Sequence, residues 1–453
     1  MPGQVIRMYE KRQPIHPRET DGLYARLRWL CVWLTQLAYY GTPWLAWNGR
    51  QAVLFDLGAR KFYLFGLVLW PQDFIYLAAL LILCAWGLFL VTAVAGRVWC
   101  GFACPQTVYT SIFLWLERRI EGPRSARIAL DRQGPSVRKF AKRTARHLAW
   151  GAVALWTGFT FVGYFTPVRE LAMGIAALSL GPWQWFWVLF YSFATYGNAG
   201  WLREQVCRYM CPYARFQGAM FDRDTLVITY DTERGEPRSK KAANGACIDC
   251  TMCVQVCPAG IDIRNGLQYE CIGCAACVDA CDNVMDRTGQ PRGLIRYSTG
   301  RAMASRLAAT RIGRRALRPR VLAYCAALLV ASLVAGFALA TRIPLKMDVL
   351  RDRGSMGREV DGGAIENVYR LQIMNTAEQP HRYRIAVAGL PGMALATCGV
   401  VELAGTETRA VPVRVRAPHG AGKPGSNPVT FTLTAQDDAR LSIDERAVFI
   451  VPR

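Results

Sequence analysis

Residues 247–257 read Cys-Ile-Asp-Cys-Thr-Met-Cys-Val-Gln-Val-Cys, and residues 271–281 read Cys-Ile-Gly-Cys-Ala-Ala-Cys-Val-Asp-Ala-Cys. Both follow the spacing C-x2-C-x2-C-x3-C, and no other feature of the chain narrows its fold as far. Three thiolates this closely spaced wrap three corners of an iron–sulfur cubane, and the fourth cysteine of each run reaches the other cluster. The pattern assigns Cys247, Cys250, Cys253 and Cys281 to one 4Fe–4S cluster and Cys257, Cys271, Cys274 and Cys277 to a second. Zinc also binds thiolates, but its sites rarely use eight cysteines in two like runs. Such thiols stay reduced in the cytoplasm, which is where this segment is expected. Asp249, Asp279 and Asp282 beside the runs either lower the cluster potentials or form a solvated face.

The cysteine runs sit between apolar stretches. In a chain of 453 residues that is 52% hydrophobic, five segments lack charge for about 20 positions, the length needed to cross a bilayer core. They are 29–49, 74–94, 148–168, 182–202 and 321–341. Lys and Arg number 6, 11 and 19 in segments 1–28, 95–147 and 203–320, against 3 and 1 in loops 50–73 and 169–181. This asymmetry puts the N-terminus and the cysteine runs in the cytoplasm and the C-terminus in the periplasm of a bacterial inner membrane. The first apolar run has no cleavage site for a signal peptide. The net charge of +22 then reads as topology and contact with membrane lipid, not nucleic-acid binding. Only His16, His147, His381 and His419 occur, and no span holds two, so paired axial haem ligands within the membrane are excluded.

Two further cysteine pairs stand where spans exit to the cytoplasm: Cys100-Gly-Phe-Ala-Cys104-Pro105 and Cys207-Arg-Tyr-Met-Cys211-Pro212. On a helix, positions i and i+4 share a face, so each C-x3-C-P pair can present two sulfurs together. Soft thiolates suit Cu(I), or iron or zinc in thiolate clusters. The hairpin-plus-pair unit occurs twice, which suggests an internal duplication that would bring Cys100, Cys104, Cys207 and Cys211 together. A thiol pair without a metal is the simpler alternative. Cys31, Cys84 and Cys325 lie singly in spans and are expected to be packing residues, and His147 to be a solvated interfacial side chain.

Segment 120–146 is basic and is expected to lie along the inner membrane surface, and 301–320 is a basic approach to the last span. Within the tail, runs at 368–374, 383–387, 411–415, 429–434 and 447–451 alternate or are β-branched and predict an antiparallel, immunoglobulin-like β-sandwich. The domain reading is a cytoplasmic segment 1–28, a four-span membrane region 29–220 and a two-cluster ferredoxin domain 221–320. A fifth transmembrane span at 321–341 and a periplasmic immunoglobulin-like domain at 342–453 complete it. The fold class is thus a multi-domain membrane protein: an α-helical five-span bundle, a ferredoxin insert of α+β type and a β-sandwich.

Together with Trp47–Asp56, Asn198–Cys207, Tyr209–Gln217, Arg234–Arg238 and Asp262–Cys271, this pattern resembles the FixG/RdxA/CcoG family of membrane polyferredoxins, over nearly the whole chain. The resemblance implies an accessory role in assembly of cbb3-type cytochrome oxidase, by reduction of Cu(II) to Cu(I). It implies copper as substrate or bound ion at Cys100, Cys104, Cys207 and Cys211, the residues that would be catalytic in such a cupric reductase. Copper chaperones and oxidase assembly factors are the partners it implies, and a homodimer is a further possibility. Spacing alone gives a membrane-bound electron-transfer protein. The alternatives are a quinol dehydrogenase-type membrane ferredoxin and a non-catalytic assembly scaffold.

Overall fold

An apolar, uncharged run becomes the 22-residue helix Phe74–Ala95, and another becomes Pro319–Ala340. Among the described residues these two are the helices long and apolar enough to cross a membrane. The computed structural model describes residues 15–239, 245–305, 317–352, 354 and 357–452. Most of the basic approach at 301–320 and half of segment 1–28 fall outside them.

The other three expected spans differ from straight crossings. The stretch 29–49 is the helix Leu23–Gly41, which stops at Thr42-Pro43 and turns into a hairpin pairing Ala46–Trp47 with Arg50–Gln51. The stretch 148–168 is the later part of Val137–Val162, whose first turns carry Arg138, Lys139, Lys142, Arg143 and Arg146. The stretch 182–202 begins as the helix Pro182–Thr195 and widens into a π-helical segment, Tyr196–Leu202. Two spans, and not five, therefore stand as uninterrupted apolar helices. Cys84 and Cys325, expected to pack inside spans, lie on exposed helix faces.

The chain divides into two compact units, Met1–Leu54 with Leu77–Leu333, and Phe55–Tyr76 with Val334–Arg453. In the first, the helix Pro105–Glu121 packs on Val137–Val162, with Phe113 stacked on Trp150 at 5.3 Å. Beneath this contact Glu117 is buried against Arg203 at 2.6 Å and Arg127 at 3.1 Å, and Glu121 against Arg146 at 3.1 Å. Removing one partner from such a buried set leaves an uncompensated charge, at a cost of about 3–5 kcal/mol. His147 is not simply solvated: its Nδ1 meets the Tyr196 hydroxyl at 2.8 Å and its ring stacks on Trp201. The basic segment 120–146 forms the helix Arg124–Arg132 and the start of the next.

The two cysteine runs belong to the same unit. Strands Val227–Tyr230 and Ile295–Ser298 pair antiparallel on either side of them in sequence. Ile228, Ile263, Val278, Met285, Leu294 and Ile295 form the core beside the thiols. The apolar side chains of the helix Ala276–Thr288 face this core.

The second unit is a sandwich of two antiparallel sheets. One orders Ala394–Leu395, Thr408–Ala417, Ala364–Asn375 and Leu345–Arg351, with Arg358–Val360 also on Ala364–Asn375. The other orders Val400–Leu403, His381–Ala388, Gly425–Ala435 and Ser442–Val451. Inward side chains alternate along each strand, and Tyr369, Tyr383, Phe431 and Phe449 fill the space between the sheets. All five expected strands fall inside longer ones. The structure adds four, the first at Leu345, where Leu345, Met347 and Val349 alternate with polar residues.

Loop 50–73, read as a simple connection, also forms strands, Val53–Asp56, Lys61–Leu64 and Leu67–Leu69. Its latter part packs into the sandwich unit. Val68 and Trp70 bury against Met374, and Lys61 donates to the carbonyl of Thr406 at 2.7 Å. Asp73, almost fully buried, pairs with Arg342 at 2.8 Å and Lys346 at 2.5 Å.

Candidate electron-transfer centre

Each cysteine run curls by the same device. Asp249 and Gly273, at matching positions, have φ of 49° and 68°, and Thr251 and Ala275, also matching, have 56° and 57°. Glycine adopts this left-handed region freely, whereas a side chain pays ~1–2 kcal/mol for it. Thr251 and Ala275 each stand just before a helix, Met252–Gln255 and Ala276–Thr288, and their carbonyls accept its first amides. The curled backbone turns the thiols inward. Cys247, Cys250, Cys253 and Cys281 line one small void, and Cys257, Cys271, Cys274 and Cys277 line another, with Cys253 at the edge of both. Leu294 and Ile295 give the first an apolar wall and Ile228, Ile261 and Ile263 the second, while Cys250 is exposed.

Two voids, each lined by four thiols and mostly apolar side chains, with Arg264 and Thr251 also on the first, fit the donor chemistry of thiolate-held iron–sulfur clusters. Burial pushes the thiols of Cys253 and Cys257 up to about 11 and those of Cys271 and Cys281 to about 12. Burial thus favours the neutral thiol where no positive charge is bound. The nearby acids are structural. Asp249 pairs with Arg264 at 2.5 Å, Asp282 accepts from the Gly293 amide, and Asp279 is buried against the start of the first helix.

The two membrane-edge pairs are built alike, but not as one helical face each. Cys100 lies in the single turn Val98–Phe102, and Cys104 is extended at φ −60°, ψ 129° before Pro105 opens the next helix. Cys207 lies in a π-helical turn, Val206–Met210, and Cys211 is extended at φ −78°, ψ 110° before Pro212 opens another. A residue before proline is driven out of the helical region, and proline is favoured at the first helical position. The proline thus breaks the helix that the i, i+4 expectation required.

The pairs nevertheless share one neighbourhood. The Cys100 thiol meets Oε1 of Gln217, which follows the second pair, at 3.5 Å. Arg97 donates to the carbonyls of Tyr269, at 2.6 Å, and Ala214, and so binds both pairs to the cluster segment. Cys207 lies close enough to Cys104, Cys100 and Cys211 that a charge on any of them would raise its own cost of ionising. Burial pushes the Cys100 thiol up to about 11 and the Cys207 thiol to about 12. Among the described residues no three Cys, His, Asp or Glu side chains converge on a single-ion geometry, so these four sulfurs are neighbours and not a closed coordination sphere.

Gly101 joins the two centres. A Cβ at this position would sit 2.8 Å from the Cys274 backbone, so only glycine lets the first pair press against a cluster cysteine. Gly101, Arg97 and the fully buried Gln217 escaped sequence reasoning. The glycine inside C-x3-C was the one visible signal.

Residues 202–300 match a family model described as a 4Fe–4S dicluster domain, and 77–123 one described as a 4Fe–4S binding domain. Residues 335–452 match the immunoglobulin-like fold at the C-terminus of FixG. The nitrogen fixation protein FixG of Rhizobium meliloti is 38% identical over 431 residues, covering 86% of this chain and 82% of FixG. Protein RdxA of Cereibacter sphaeroides is 39% identical over 452 residues, covering 97% of this chain and 95% of RdxA. Protein RdxB of the same organism is 37% identical over 463 residues, covering 98% and 95%. With paired thiol-lined voids, a matching dicluster domain and relatives aligned along most of their length, the chain belongs to the FixG/RdxA family of iron–sulfur redox proteins.

Proposed function

We propose that this protein is a cupric reductase of the bacterial inner membrane, supplying Cu(I) for assembly of a cbb3-type oxidase. The observation that carries the reading is the contact of Gly101 with the Cys274 backbone, which sets the first C-x3-C-P pair against one of the thiol-lined voids. Two 4Fe–4S clusters, held by Cys247, Cys250, Cys253 and Cys281 and by Cys257, Cys271, Cys274 and Cys277, supply one-electron transfer when bound. Cys100, Cys104, Cys207 and Cys211 receive the copper, since soft thiolates favour the Cu(I) product. Burial keeps Cys100 and Cys207 protonated until the cation arrives. Gln217 and Arg97 hold the two pairs in register.

The orientation, with N-terminus and clusters cytoplasmic and sandwich periplasmic, has a structural support beside the charge count. Phe55–Tyr76, in the loop between the first two apolar stretches, packs in one unit with Val334–Arg453, which requires both on the same side of the membrane. The sandwich then offers a surface for copper chaperones and oxidase assembly factors.

The test is anaerobic titration of the reduced full-length protein with one equivalent of Cu(II), following cluster absorbance and Cu(I) capture by a specific chelator. Reoxidation in step with Cu(I), lost when Cys100, Cys104, Cys207 and Cys211 become serine, is expected. Clusters that stay reduced beside unreacted Cu(II) would sink the reading. The match of 77–123, which includes Cys100 and Cys104, to a 4Fe–4S binding model favours a second reading, in which the membrane-edge thiols hold a further iron–sulfur centre. Iron analysis separates the two: about eight irons per chain for two clusters, about twelve for three.

A further inference from the structure

A cavity of about 1040 Å³ is lined by residues of the helices Leu23–Gly41 and Pro105–Glu121 and of both cysteine runs. Its lining includes Cys207 of the second membrane-edge pair and Cys274, one of the four thiols around the second void. Trp29, Trp33 and Trp115 give it an apolar wall, while eight arginines and four carboxylates supply its charge, Arg127 and Arg203 among them sharing the buried Glu117 behind the wall. Arg18 and Arg26 are exposed and form no ion pair among the described residues; Arg18 reaches the Met252 sulfur at 3.3 Å. A concave site with this excess of fixed positive charge repels a hydrated dication and concentrates anions.

We propose that this cavity receives Cu(II) as an anionic complex, a small carboxylate chelate, and not as the hydrated ion. The inference rests on the cupric reductase reading and names the substrate form of that site. Contact with both Cys274 and Cys207 puts the chelate between the source of the electron and the thiols that take the product, which an electron donor serving the clusters alone would not need. A reduced iron–sulfur cluster held by Cys257, Cys271, Cys274 and Cys277 would supply the one electron that takes Cu(II) to Cu(I). The carboxylate chelate, a poor ligand for the soft ion, leaves as the free anion. Cys207 and Cys211 each lose a thiol proton to solvent as their sulfurs bind Cu(I).

The test uses the full chain with both clusters, reduced anaerobically in detergent micelles. It compares copper nitrilotriacetate, a monoanion, with the dicationic copper complex of tris(2-aminoethyl)amine. The wild type is expected to reduce the anionic complex with a kcat/KM that falls as salt rises. Arg18→Glu combined with Arg26→Glu is expected to cut that value roughly tenfold while leaving or raising the rate with the dication. Unchanged iron content and cluster spectra show that the variant is folded. The redox-inert zinc nitrilotriacetate should be retained by the wild type in equilibrium dialysis read by zinc analysis, and less so by the variant. Equal effects of salt and substitution on both copper complexes, or zinc nitrilotriacetate that does not bind, overturn the proposal. If zinc nitrilotriacetate binds but neither copper complex is reduced, the anion site stands and the reductase reading falls.

Discussion

The carboxylate of Asp279 accepts hydrogen bonds from the backbone amides of Ala25, at 2.7 Å, and Tyr24, at 3.1 Å. A residue next to the cluster thiols therefore caps the helix that carries the first apolar stretch. The amides at a helix N-terminus have no partners within the helix, and a negative charge there also meets the positive end of its dipole. Asp279→Ala is expected to cost about 1–2 kcal/mol and to loosen the helix Leu23–Gly41 from the cluster segment. Asp279→Asn should keep part of this. Thermal unfolding with parallel measurement of cluster loss checks both, and equal melting of all three proteins would remove the cap from the account.

The two voids each take a thiol from the other run. Cys281→Ser should therefore disturb the centre built mainly on the first run, and Cys257→Ser the centre built mainly on the second. Spectra of Cys281→Ser should then match those of Cys250→Ser, and spectra of Cys257→Ser those of Cys274→Ser. Electron paramagnetic resonance of the reduced proteins reads this directly. Pairing by run instead of across runs would reverse the assignment.

Gln217 is fully buried, its Oε1 faces the Cys100 thiol, and its side chain also lies beside the Tyr213 hydroxyl. An amide rotates between accepting from a thiol and donating to a thiolate, so this side chain suits Cys100 in both states. Gln217→Leu should weaken retention of Cu(I) about tenfold, the loss of one hydrogen bond to a charged group, with iron content unchanged. Competition against a Cu(I) chelator is the measurement, and unaltered affinity would make Gln217 a packing residue only.

Glu366 in the sandwich is buried and accepts from Arg416 and Arg358, each at 2.7 Å. The Arg416 hydrogen bond first, and Arg358 after it, hold its carboxyl below the ordinary range. A depressed carboxylate stabilises the fold above its unfolded pKa, and the contribution is lost as pH falls through the folded value. The strands Ala364–Asn375 and Thr408–Ala417 should therefore loosen only as pH falls below the ordinary carboxylate range. Glu366→Gln should be less stable at neutral pH and flatter below it. Amide hydrogen exchange at Leu371 and Val413, corrected for intrinsic pH dependence, reports the opening.

What the sequence made legible was local. The cysteine runs need only eleven residues each, and their grouping follows from spacing. Inward alternation in the five longest sandwich strands is likewise readable along a single segment. Span ends were not, because Pro43 and the π-helical turns interrupt stretches whose hydropathy does not change. The pairing of Asp279 with Ala25, and the burial of Asp73 by Arg342, join residues more than 250 positions apart. No pattern within either neighbourhood points to its partner. Asp279 looked like a charge beside a cluster when its role is to hold a helix.

The partners of Asp73 bear on how the protein is made. Arg342 follows it by 269 positions, so at about 5–20 residues per second the ribosome delivers the cation roughly 13–54 seconds after the carboxylate. Until then the loop has neither its counter-charges nor the sheet that covers Trp70 and Val68. A chain cut short before its last quarter exposes that hydrophobic face, which proteases and chaperones recognise in unfinished proteins. The completed ion cluster thus marks a chain translated past Lys346, and copies cut short before it leave Val68 and Trp70 uncovered.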